Sequence, residues 1–107
     1  MATGDFTVIS LGGPSESNSG YLAEIHRRLE AQDLVRFRMH AMGTLLEGAA
    51  EDIFALVAEM QAVPFEMGVP RVYTVLKVDN RRDRPDQTLE DKERAVQERL
   101  GGGANGT

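Results

Sequence analysis

Apolar residues recur along the chain with two different periods, and each period predicts a different kind of element. A period of two is clearest where Val35, Phe37 and Met39 alternate with polar side chains, which is typical of a half-buried strand. Other runs rich in β-branched residues are bounded by glycine or proline and indicate further strands. The predicted strands are residues 5–11, 35–42, 44–47 and 71–81.

A helical period, with apolar residues three or four positions apart, predicts three helices between and after these strands. Pro64 lies near the end of the second helix and is expected to kink or end it, because proline lacks the amide hydrogen. Thr88 is a suitable N-cap for the third helix. The predicted helices run from the serine-rich segment 15–20 to about Gln32, over about Ala50–Met67, and from about Leu89 to Leu100.

The order of elements is β-α-β-β-α-β followed by one more helix, which predicts an α+β fold of the ferredoxin-like type. This fold is a βαββαβ sandwich with an antiparallel sheet, and the chain adds an extra C-terminal helix. Residues 1–100 are expected to form this single domain, since a chain of this length can bury one hydrophobic core without the help of disulfide bonds or a bound metal. The glycine-rich residues 101–107 are expected to be a flexible tail.

Both crossover helices of this fold lie on one face of the sheet, which leaves the other face open. The first strand nevertheless carries apolar residues on both sides, with Phe6 and Val8 opposed by Ile9 and Leu11. Because an exposed apolar sheet face is usually an interaction surface, we expect a homo-oligomer in which a second subunit covers it. The alternative is that the terminal helix covers this face alone.

Composition and charge argue against several classes of function. A net charge of −5 opposes binding to nucleic acid, since phosphate contacts need a basic surface. The chain has no cysteine and only two histidines, which lack the spacing of metal ligands, so no metal site is expected. No segment approaches the ~20 apolar residues of a membrane span, and the N-terminus lacks the features of a signal peptide. We therefore expect a cytoplasmic protein that does not bind membranes.

The stretch "MHAMGTLLEG", residues 39–48, is the first candidate for a small-molecule site. Gly43 allows a positive φ or the close approach of a ligand, and Thr44 supplies a short hydroxyl that both donates and accepts. Glu47 is expected near the start of the second helix, where the helix dipole favours its charge. The alternative is a glycine bulge in a hairpin, with Glu47 simply preceding a helix.

Three further polar residues are candidates on weaker grounds. Lys77 and Asp79 alternate onto the same strand face as Tyr73, which is the expected interface. Charges at an interface are costly unless they are paired. Lys77 and Asp79 are therefore expected to orient a ligand or to join subunits, and the alternative is that they belong to a solvated strand end. Ser17 lies at a strand-to-helix turn, where its hydroxyl can cap the helix or bond a ligand.

Three blocks of sequence together resemble the thiamine-binding domain family, also called the UPF0045 or DUF77 group. The blocks are "MGTLLEG", "GVPRVYTVLKVDNRRDRP" and "TLEDKERAVQERL", and the similarity covers roughly residues 5–100. The resemblance implies ferredoxin-like subunits with an extra C-terminal helix, assembled as dimers and commonly as tetramers through their sheets. It also implies a protein that is not an enzyme and that binds thiamine, or its hydroxymethylpyrimidine portion, as a ligand rather than as a cofactor.

The resemblance extends to the candidate residues that match these blocks. Met42, Gly43, Thr44, Glu47, Lys77 and Asp79 are therefore the expected ligand-binding residues, to which Ser17 is added from its position. A carboxylate can accept a hydrogen bond from the aminopyrimidine or balance the thiazolium charge, and an acidic protein attracts a cation. The chain departs from its relatives at Ala41, where proline is common, and at Ala49, where an acidic helix cap is common.

Three other functions remain as alternatives. The first is a structural or regulatory module in which Glu47 and Asp79 pair with cations across a subunit interface. A small enzyme of the acylphosphatase kind would need an arginine in "LGGPSESNS", which has none. An RNA-recognition module is suggested by Phe37 between two arginines but is opposed by the acidic balance.

Overall fold

The expected α+β, ferredoxin-like architecture is confirmed. The computed structural model describes residues 1–13 and 17–104, leaving aside the side chains of 17–19 and 101–104. Its four strands form one antiparallel sheet in the order β2-β3-β1-β4. The elements are β1 (Ala2–Leu11), α1 (Ser17–Glu30), β2 (Arg36–His40), β3 (Gly43–Gly48), α2 (Ala50–Glu66), β4 (Arg71–Asn80) and α3 (Leu89–Ala104).

Several element ends differ from the sequence prediction. β1 begins at Ala2 because its first residues pair on both sides, with β3 and with β4. α2 continues through the buried Pro64 to Glu66, and the chain leaves it at Gly68, where φ is +91°. α3 continues past Leu100 to Ala104, so part of the predicted tail is helical, and residues 105–107 lie outside the described chain.

The hydrophobic core lies between the sheet and the pair α1 and α2. Phe6 and Val8 face this layer from β1, and Leu46 faces it from β3 with no exposed surface. Leu29 of α1 and Ile53 of α2 are equally buried. Burial of such side chains, at about 1.5–3 kcal/mol each, is the main force that fixes the two helices on this face.

The opposite face of the sheet is covered only in part by the single chain. α3 begins over the end of the sheet that carries Thr3, and its first residue, Leu89, is buried. Ile9, Tyr73 and Val75, farther along the same face, are 42%, 55% and 38% exposed. The terminal helix therefore does not cover the apolar face alone.

Candidate ligand-binding site

A cavity of about 430 Å³ lies between α1, the second half of β1 and the turn that joins β2 to β3. Its volume falls within the range of small-molecule sites, about 300–1,000 Å³. Most of its wall is apolar. The lining residues are Phe6, Thr7, Val8, Ile9, Tyr21, Leu22, Ile25, Met39, His40, Ala41, Met42, Gly43 and Thr44.

Two polar side chains are buried in the wall of this cavity. Tyr21 is 4% exposed and Thr44 is 7% exposed. Within the described part of the chain neither hydroxyl forms a hydrogen bond, and neither oxygen is among the enclosed unpaired atoms, which are Thr74 Oγ1 and Gln87 Oε1, so both hydroxyls remain accessible from the cavity. Thr44 reaches the cavity because its register partners are Phe6 and Met39, which places it on the helix-facing side of the sheet. The two hydroxyls are therefore available to a ligand.

Gly43 is needed for close packing and not for an unusual backbone conformation. Of the two possibilities for this glycine, a positive φ does not occur, since among the described glycines only Gly12, Gly13 and Gly68 have one. A Cβ atom at position 43 would lie 2.8 Å from the Phe6 carbonyl oxygen and 2.9 Å from Asp5 Oδ1. The glycine therefore lets β3 approach the backbone and side chains of β1.

The turn beside Gly43 is held by the side chains of Thr7, His40 and Asp5, none of which is among the predicted site residues. Thr7 Oγ1 donates to the Met42 carbonyl oxygen at 2.9 Å, and the Met42 amide donates to His40 Nδ1 at 3.2 Å. His40 Nε2 lies 3.0 Å from Asp5 Oδ1. The Met42 side chain is 79% exposed, so its backbone fixes the turn while its side chain remains at the rim. Only the strand register brings Asp5 and His40 together.

Glu47 does not face this cavity. It lies on the opposite side of the sheet, paired in register with Thr3 and Arg36, and it is 8% exposed. Its Oε1 accepts the Leu89 amide at 2.8 Å and its Oε2 accepts from Arg36 Nη1 at 3.2 Å. Glu47 precedes α2 by three residues, as expected, but the expected interaction of its charge with that helix is wrong, because its carboxylate accepts the first amide of α3 instead. The N-cap of α2 is Ala49, which makes no side-chain cap bond.

Lys77 and Asp79 lie on the same open face as Glu47. Both line a shallow groove of about 300 Å³ together with Thr3 and Asp5. Asp79 forms an ion pair with Lys92 of α3. The cations that pair with Glu47 and Asp79 thus belong to the same chain, whereas the alternative of a structural module placed them across an interface.

The predicted site residues are consequently divided. Met42, Gly43 and Thr44 meet at the cavity, whereas Lys77 and Asp79 meet at the groove on the other face. Glu47 lies beneath α3, and the side chain of Ser17 falls outside the described residues. The cavity adds Tyr21 and His40, for which the sequence showed no local signal.

The start of α3 is fastened to the open face by charged side chains. Arg36 pairs with Glu90 and Arg38 pairs with Glu93. The hydrogen bond from the Arg36 guanidinium is the main cause that lowers the pKa of Glu90 below its usual value. These contacts hold α3 away from the cavity on the far side of the sheet.

A family comparison matches nearly the whole chain. The model of the thiamine-binding protein family matches residues 4–97. The chain belongs to the thiamine-binding protein family. A relative from Methanothermobacter thermautotrophicus, described as a UPF0045 protein, is 42% identical over 103 residues, which are 94% of this chain and all of that protein.

Two solved structures share the fold. The hypothetical protein MJ1052 of Methanocaldococcus jannascii superposes with a TM-score of 0.77 at 30% identity, covering 91% of this chain and 96% of its own. The protein TM0486 of Thermotoga maritima, described as a candidate for thiamine biosynthesis or salvage, has a TM-score of 0.70 at 18% identity, covering 89% and 97%. At that identity the second likeness shows the fold alone.

The described residues contain neither a metal-binding cluster nor a membrane-spanning helix. No three His, Asp or Glu side chains among them are grouped so that they could hold a metal ion. Within the same residues, every helix is too short or too polar to cross a membrane.

Proposed function

We propose that the chain binds thiamine, or its hydroxymethylpyrimidine portion, in the cavity between α1 and the β2–β3 turn, without converting it chemically. Membership of the thiamine-binding family supports a thiamine-related role. The observation that carries the choice of site is the pair of accessible hydroxyls on the buried residues Tyr21 and Thr44, which lack hydrogen-bond partners in the described chain.

The chemistry of the wall suits the two halves of the ligand. An aminopyrimidine presents donors and acceptors along one edge, which two hydroxyls can match because each both donates and accepts. The rings of Phe6 and Tyr21 and the thioether of Met39 offer apolar contact to its faces. The overall charge of −5 favours a thiazolium cation, and Asp5, 3.0 Å from the His40 ring of the cavity wall, adds negative charge nearby.

A second copy of the chain is part of the proposal. Ile9, Tyr73 and Val75 leave an apolar patch that α3 does not cover. Ile9 also lines the cavity, so a partner on this patch would adjoin the ligand. We propose a cytoplasmic homo-oligomer in which the sheet faces meet, as dimers or tetramers. Sedimentation of wild type beside Tyr73→Glu tests this, and a monomeric wild type would contradict it.

Calorimetric titration of thiamine tests the site. Thr44→Val and Tyr21→Phe each remove one hydroxyl with little change of shape and should weaken binding by about tenfold. Lys77→Gln is the matched control in the groove on the other face, and it should leave affinity within about twofold.

The opposite pattern would place the ligand elsewhere. If Lys77→Gln or Asp79→Asn lost affinity while Thr44→Val kept it, the groove would be the site. If wild type released no heat at millimolar thiamine, the proposed function would be wrong.

A further inference from the structure

The turn between β2 and β3 forms one wall of the cavity and is fastened to β1 by side chains. Thr7 Oγ1 donates to the Met42 carbonyl oxygen at 2.9 Å. The Met42 amide donates to His40 Nδ1 at 3.2 Å, and His40 Nε2 lies 3.0 Å from Asp5 Oδ1. His40 therefore connects the turn backbone to a carboxylate on β1.

These contacts define the state of the imidazole. Because Nδ1 accepts the Met42 amide hydrogen, the ring hydrogen resides on Nε2 and is donated to Asp5. Gly43 leaves room for the Asp5 carboxylate in this arrangement, since a Cβ at position 43 would lie 2.9 Å from Asp5 Oδ1. The neutral ring satisfies the turn and the carboxylate at the same time.

Protonation changes only one of the two contacts. With a hydrogen on both nitrogens, Nδ1 faces the Met42 amide as donor against donor, and that bond is lost. The contact from Nε2 to Asp5 persists. The wall also gains a positive charge beside the space proposed for a cationic ligand.

We propose that His40 is a positioning residue for the cavity, which holds the β2–β3 turn in place while neutral and weakens cation binding when protonated. This inference rests on the proposed function. It adds regulation by pH to the proposed thiamine site.

The charged groups around His40 come from every neighbouring strand and from α3. Asp5 lies on β1, Arg38 lies on β2 on the same face, and Glu93 of α3 pairs with Arg38. Lys77 of β4 is opposite Asp5 in register. Among the described residues, only Asp5 forms an ion pair with the His40 ring, and this pair is kept when the ring is protonated. The hydrogen bond from the Met42 amide is therefore the contact that protonation breaks.

The experiment compares thiamine affinity at about pH 7.5 and about pH 5.5, on either side of the range in which imidazoles ordinarily titrate. Wild type should lose about fivefold in affinity at the lower pH, the equivalent of one hydrogen bond. His40→Asn keeps an acceptor near the Met42 amide but does not titrate, so its loss should be less than about twofold. His26→Gln removes the other histidine, whose Nδ1 lies 3.0 Å from Met39 Sδ at the cavity wall, and the ratio of its affinities at the two pH values should match that of wild type.

A second measurement needs no ligand. In ¹H–¹⁵N spectra of wild type, the Met42 amide should shift with pH in step with the His40 ring, and in His40→Asn it should not. A Met42 amide that ignores His40 protonation would overturn the inference even if thiamine binds. An equal pH dependence in wild type and His40→Asn would also overturn it. If thiamine fails to bind at both pH values, the proposed function is refuted and the coupling to it falls as well.

Discussion

Replacing Gly43 with alanine is the sharpest test of how the turn packs against β1. The added Cβ would lie 2.8 Å from the Phe6 carbonyl oxygen, 2.9 Å from Asp5 Oδ1 and 2.9 Å from Thr7 Oγ1. The two side chains can move, but Phe6 belongs to the central strand, which is paired on both sides. Overpacking of this kind costs about 1–3 kcal/mol of unfolding free energy.

The expected loss is large enough to measure by thermal and urea unfolding. For a domain of about this size, 1 kcal/mol corresponds to roughly 4–8 °C in Tm, so Gly43→Ala should melt about 5–20 °C lower. Gly20→Ala is the matched control, since that glycine lies within α1 and its added Cβ would meet only the Met67 methyl group, at 3.4 Å. Alanine is favoured over glycine inside a helix by about 1 kcal/mol, so the same substitution should be neutral or stabilising there.

Comparing Gly43→Ala with Gly20→Ala also separates the steric clash at position 43 from the general effect of replacing glycine with alanine. Gly43→Ala should reduce thiamine affinity together with stability, because Asp5 Oδ1 must leave the position from which it contacts His40. A Gly43→Ala protein that melts within about 1 °C of wild type would refute the close approach described for this turn.

Other parts of the fold give predictions with different measurements. Leu46→Ala removes a fully buried side chain, so urea unfolding should show a loss of about 2–5 kcal/mol, and a loss below about 1 kcal/mol would contradict the packing. Because hydrogen bonding from Arg36 lowers the pKa of Glu90, its stabilising contribution is complete above the ordinary glutamate pKa and is lost as pH falls through the lowered value. The protection of α3 amides from hydrogen exchange, corrected for the intrinsic exchange rate at each pH, should therefore fall on acidification before that of β1, and a simultaneous fall would count against this order. Thiamine diphosphate should bind at least about tenfold more weakly than thiamine in calorimetry, since the described lining of the cavity and the sequence of residues 14–19 contain no Lys or Arg; equal affinities would refute this.

The sequence patterns were sufficient to predict the architecture, because each strand and helix has a strong local period. The ends of elements were less predictable, since they depend on partners. β1 starts early because both neighbours pair with it, and α2 passes Pro64 because the chain turns only at Gly68.

The composition of the site was predicted only in part, for a reason visible in strand geometry. Thr44 and Glu47 are three positions apart on one strand, so their side chains point to opposite faces. They therefore could not share one pocket within the sheet. The helix that Glu47 caps, and the contact of Asp5 with His40, depend on register and on the docking of α3, which no local pattern encodes.

The most direct test of the central claim is a thiamine titration followed residue by residue in ¹H–¹⁵N spectra. The largest amide shifts are expected at Tyr21 and at residues 42–44, which line the cavity. Shifts centred instead on Thr3, Lys77 and Asp79, with Tyr21 and Thr44 unchanged, would contradict the claim.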